Sequence, residues 1–168
     1  MRSSILILCL MWVLPAAAPA QILFSPERTA SCLDEARNGK DRGACIGRAA
    51  EACRAAIKGA TEVDEAACLN GETEWWRAWI KDAEDRMMER AKLLDVEQAK
   101  AISQGAPRLT DDLVRFQRAW TDWAEQRCIF EAMLYRGKPE RMVVASSCLL
   151  RRTAEQALFL DASAASRR

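Results

Sequence analysis

Cysteine is the chemically distinctive residue of this chain: 7 occur in 168 residues, against no histidine at all. Cys9 lies in a short apolar run near the start, and Cys32, Cys45, Cys53, Cys68, Cys128 and Cys148 follow. An even set of cysteines in an exported chain reads as a disulfide framework rather than as reactive thiols. Six cysteines allow 15 pairings. Spacing sets only the last two apart from the others, which favours Cys128 with Cys148. Zinc is the rival use of clustered thiols, but the chain has no C-x-x-C and no imidazole to complete a site. Neither a metal nor another cofactor is expected.

Carboxylates are the second group with chemical potential. Between Thr61 and Ala91, nine acids (Glu62, Asp64, Glu65, Glu72, Glu74, Asp82, Glu84, Asp85, Glu89) stand against four bases (Arg77, Lys81, Arg86, Arg90), a local excess of five negative charges. Neighbours such as Glu84 and Asp85 would act as a glycosidase pair only in a concave site with a raised pKa, and an exposed helix offers neither. There is also no Gly-rich phosphate loop and no G-x-S-x-G nucleophile turn. The chain is therefore not read as an enzyme. A solvated helix face is the plain expectation for the acids. As a binding surface, Glu72, Glu74, Asp82, Glu84, Asp85 and Glu89 would meet a basic partner, because opposite potentials speed association.

The first 20 residues have the layout of a secretory signal: Arg2, an apolar run from Ile5 to Leu14, and small residues at Ala18-Pro19-Ala20. Cleavage before Gln21 removes Cys9. The run is interrupted at Pro15 and is shorter than the roughly 20 apolar residues of a membrane span, so no membrane association is expected after cleavage. The periplasm or the exterior is the expected location. Residues 21–168 have the size of one domain. Removing Arg2 leaves 24 bases against 24 acids, a balance that argues against nucleic-acid binding.

An all-α fold must position these groups. Ser25-Pro26 opens a first helix that should fade at Asn38-Gly39, and Asp41 is expected to cap a second. Thr61-x-x-Asp64 has the form of a capping box. It opens a long helix running through Asn70-Gly71 to near Ser103, with Trp76, Ile80, Ala83, Met87, Ala91 and Leu94 on one face. After the breaker Gln104-Gly105-Ala106-Pro107, Thr110 is expected to cap a helix with Leu113, Phe116, Trp120, Trp123, Cys128 and Leu134 in a stripe. Arg136-Gly137-Lys138-Pro139 turns the chain into a last helix, Glu140 to Leu160, that groups Met142, Ala145, Leu149 and Leu160. Trp75 is the tryptophan expected at the surface. The architecture is a small disulfide-stapled helical bundle with one long helix and a C-terminal helical hairpin.

Cys53 and Cys68 followed by Leu69, Glu72, Trp76 and Ile80, then Gln117-Arg118-Ala119-Trp120, Cys128, Cys148 and Thr153-Ala154-Glu155, form a set with wider reach. It resembles the LprI-type lysozyme-inhibitor family of bacterial envelope proteins. The resemblance implies an exported helical domain with paired cysteines and a structural motif of Glu72, Trp76, Gln117 and Trp120. It also implies inhibition of a lysozyme, a basic enzyme. The alternative is a periplasmic binding or structural module that meets another envelope protein and shares only the fold. Arginines common in the family are replaced here by Ala124 and Gln156, and a common tyrosine by Glu84. The expected bridges are Cys32 with Cys45, Cys53 with Cys68, and Cys128 with Cys148.

Overall fold

The computed structural model describes residues 24–36 and 41–165. The signal segment, residues 1–20, and the fading of the first helix at Asn38-Gly39 lie outside the described residues. Those residues form helices α1 (Glu27–Glu35), α2 (Arg48–Ala55), α3 (Glu62–Glu97), α4 (Ala99–Ser103), α5 (Leu109–Met133) and α6 (Arg141–Ala165), with a 3-10 turn at Arg42–Cys45 and no strand. No helix among them is long and apolar enough to cross a membrane.

The spine is α3, whose 36 residues rise about 54 Å. Its start is the expected capping box: the Asp64 amide donates to Thr61 Oγ1 at 3.3 Å and the Thr61 amide donates back to the Asp64 carboxylate at 2.9 Å. Asn70-Gly71 does not break the helix. Gly71 is there for space, since a Cβ at that position would lie 2.7 Å from the Phe24 ring. The helix does stop earlier than expected, at Glu97, and α4 carries the chain on to Ser103.

Two expected caps are corrected. Asp41 caps the 3-10 turn, accepting from the Gly43 amide at 2.8 Å, while α2 begins later behind Gly47, whose φ of 91° suits glycine. Thr110 is not the cap of α5 but lies in its first turn. The acceptor there is Asp95 of α3, which receives the Leu109 amide at 2.7 Å, the Thr110 amide at 3.2 Å and the Thr110 hydroxyl at 2.7 Å.

The core lies where α6 runs along α3 and α5 closes over both. Trp76, Ile80, Ala83 and Ala91 of α3 are buried, as the pattern required. On α5 the inward row is Leu113, Ala124, Cys128 and Ala132, whereas Phe116, Trp123 and Leu134 from the expected stripe are exposed. On α6 it is Leu150, Thr153, Ala154, Ala157 and Leu160, with Met142 exposed. Alanine carries the close helix contacts, and a search for large apolar residues reads past it. Trp75 is half-buried, its ring 4.8 Å from Trp76 and 5.3 Å from Trp79. Among the described residues, Trp123 is the tryptophan that faces solvent, at 50% exposure.

The three bridges are those expected. Cys32–Cys45 fixes α1 to the 3-10 turn, Cys53–Cys68 fixes α2 to α3, and Cys128–Cys148 staples α5 to α6. Closing loops of this length contributes about 3 kcal/mol each through the unfolded chain.

Hydrogen bonding from the Thr110 side chain holds the Asp95 carboxyl below the usual aspartate range, and bonding from the Thr61 backbone does the same to Asp64. A depressed carboxyl stabilises the fold above its unfolded value, about 3.9, and the contribution is lost as pH falls through the lower folded value. The melting temperature is expected to drop as acid is taken below about pH 4. Asp95→Ala is expected to lower it at neutral pH, flatten part of that acid dependence, and speed amide exchange at Leu109 and Thr110; calorimetry and hydrogen exchange check both.

Candidate functional site

Of the six acids expected to meet a partner, Glu72 is the exception in burial: it is 0% exposed. Its Oε1 accepts from the Thr29 hydroxyl at 3.0 Å, the Gly47 amide at 2.8 Å and the Trp76 indole at 3.1 Å. Its Oε2 accepts from the Ala50 amide at 2.8 Å. Gly47 and Ala50 belong to the start of α2, which has no side-chain cap of its own. Glu72 therefore caps α2 from within the core, and the surface role expected for it is corrected to this internal one.

The five-charge excess on α3 resolves in space. Glu62, Asp64 and Glu65 occupy the first turn, where the helix dipole favours acids, and Glu65 also pairs with Arg54. Glu72 is internal and Glu84 is bound to another helix. The remaining acids have basic neighbours one turn away: Glu74 pairs with Arg77, Asp82 with Arg86, Asp85 with Lys81, and Glu89 with Lys92. The exposed face is thus a ladder of local ion pairs rather than a sheet of negative potential.

Glu84 begins a polar chain through the bundle. It accepts a hydrogen bond from the Gln117 amide group of α5, and Gln117 in turn accepts from Gln156 of α6 at 2.6 Å. Gln117 is the central link, and Trp120, one turn on, packs against the core. Glu84 and Gln156 are thus linked through Gln117. Ala124 is buried on α5.

At the hairpin end, Arg77 of α3, Glu125, Ile129 and Ala132 of α5, and Arg141, Met142, Ala145 and Leu149 of α6 surround a groove of about 570 Å3 over Cys128. Its floor is apolar and its polar groups stand at the rim. The size is that of a small-ligand pocket. The spacing in the sequence already placed Met142, Ala145 and Leu149 together on the last helix. A second, more polar cleft between α1 and α2 carries Glu27, Glu35 and Glu51 beside Arg28 and Arg48. No group of three or more potential metal ligands occurs among the described residues.

Three local bridges, a carboxylate-anchored spine and an open groove define a disulfide-stapled α-helical module. The chain belongs to the family described as lysozyme inhibitor LprI, which it matches over residues 53–160, from α2 through nearly all of α6. It is also 47% identical over 150 residues to a Rhodobacter capsulatus protein described as an uncharacterized 17.7 kDa protein in the puhA 5′ region, covering 89% of this chain and 90% of that one. No solved structure matches the chain. The hairpin groove and the Glu84–Gln117–Gln156 chain lie within the family match; most of the α1–α2 cleft does not.

Replacing Glu72 by glutamine keeps the shape and turns one acceptor into a donor, so either Ala50 or the group around Oε1 faces a donor with a donor. Glu72→Gln is expected to cost about 1–3 kcal/mol, measured by urea unfolding. Glu74→Gln, on the exposed ladder, is expected to change stability by less than about 1 kcal/mol.

Proposed function

We propose that the protein is exported and inhibits a lysozyme. The observation that carries this reading is the family match over residues 53–160. Three disulfides suit an oxidising compartment, and the signal-like residues 1–20 agree with export. Glu74, Asp82, Asp85 and Glu89 remain the acids that would meet a basic enzyme. Glu72 leaves that role because both its oxygens are engaged in the core, and Glu84 because its Oε1 is taken by Gln117 of α5. Since the four exposed acids already have local basic partners, their contribution is short-range orientation more than long-range steering, which decays over about 8–10 Å at ordinary salt.

A second reading rests on the hairpin groove. An apolar floor with Arg77 and Arg141 at the rim suits an anionic amphiphile, which would make the protein an envelope binding module sharing only the family fold.

Lysozyme turnover measured with the oxidised, signal-free protein tests the first reading: turnover is expected to fall with added protein and to recover when the bridges are reduced. Asp82→Lys with Asp85→Lys is expected to slow association while leaving melting nearly unchanged, because exposed pairs contribute about 0–1 kcal/mol. Undiminished turnover at a large excess of folded protein overturns inhibition. Fatty-acid binding in that same preparation, lost in Arg141→Glu, selects the second reading.

A further inference from the structure

The outer flank of α5 carries Leu109, Phe116, Trp123 and Phe130, each seven residues from the next. Their exposures are 39%, 42%, 50% and 66%. Seven residues is close to two helical turns, so the four side chains form one nearly straight line over about 31 Å. Phe159 of α6 widens it, its ring 5.9 Å from Phe116 and itself 54% exposed. Beside Phe116, a small apolar hollow lined by Met87, Ala91, Leu113 and Leu160 opens onto the same flank. Contiguous exposure of large apolar side chains marks an interaction surface, and a seven-residue period suits packing against another helix.

We propose that this flank is the interface of an antiparallel homodimer, in which α5 pairs with α5 of a second copy. Charge chooses the partner and the direction. One edge of the line is flanked by Arg115 and, seven residues on, by Asp122. In a parallel pair that edge would face the opposite edge of the second copy, so Arg115 and Asp122 would not meet. In an antiparallel pair centred between Phe116 and Trp123, Phe116 faces the second copy's tryptophan, Leu109 faces its phenylalanine, and Arg115 comes within two residues of level with its Asp122, on the same edge, on both sides of the dyad. Arg115, which pairs with Asp112 within the helix, changes partner on docking. Arg127, stacked over Trp123 at 5.3 Å, covers the other edge. Stable interfaces bury roughly 1,200–2,000 Å2 in total; one helix pair lies toward the small end, so the dimer dissociates on dilution. The inference does not depend on lysozyme as a target.

Sedimentation of the oxidised, signal-free protein over a range of concentrations is expected to show a monomer–dimer equilibrium. Trp123→Glu with Phe130→Glu, both at exposed positions, is expected to leave helical dichroism intact and abolish the dimer. Arg115→Asp is expected to weaken the dimer at least tenfold, and Arg115→Asp with Asp122→Arg to restore it. Ala119→Cys places thiols next to the dyad and is expected to give a covalent dimer on mild oxidation, while Asp112→Cys, far from the dyad, is not. A protein monomeric at every concentration overturns the proposal, as does one that instead sediments with lipid vesicles. Equal cross-linking at 112 and 119, or no recovery in the charge swap, overturns the antiparallel arrangement.

Discussion

A buried carboxylate must be satisfied or the fold around it fails, because an uncompensated polar group in a protein interior costs several kcal/mol. Glu72 is that group here. Its two oxygens take donors from α1, from the connection into α2, from α2 itself and from its own helix. The packing of the N-terminal elements on α3 is thereby fixed by direction as well as by apolar contact. Trp76, one turn along, contributes its indole N–H to the same carboxylate and its ring to the core. Glu72 and Trp76 are thus a single unit.

The same device recurs at the other end of the spine. The first residues of α2 and α5 are preceded by Gly47 and Arg108, neither of which supplies a side-chain cap. In both cases α3 sends a carboxylate across to do so, Glu72 to α2 and Asp95 to α5. A helix start normally leaves amides without partners. Here that deficit is met by tertiary structure, so α2 and α5 are completed by docking onto α3. At the C-terminal end Asp161 of α6 accepts from Arg42 and Arg86, joining the 3-10 turn, α3 and α6.

The helical class, the long α3, the hairpin and the bridges were legible because each is local: a capping box, a repeated apolar spacing, a breaker, and cysteines near one another in sequence. The tertiary caps were not. Glu72 and Ala50 lie 22 residues apart, and Asp95 and Leu109 lie 14 apart, with no periodicity connecting them. The α5 stripe was misread for a different reason. Leu113 and Cys128 do face inward, but beside Ala124 and Ala132, while Phe116, Trp123 and Leu134 are exposed, so size alone did not separate the two sides. A charge count over Thr61–Ala91 likewise summed acids whose environments differ completely: a first turn, a core, an interhelical bond and a ladder of ion pairs.

Among the described residues the cysteines pair in order along the chain, first with second, third with fourth and fifth with sixth, at sequence separations of 13, 15 and 20. No bridge encloses or crosses another. A chain threaded into an oxidising compartment from its N-terminus would present the thiols in native pairs, one pair at a time. For a chain so delivered, an oxidase that links cysteines in order of arrival would suffice, with no isomerase needed to reshuffle bonds.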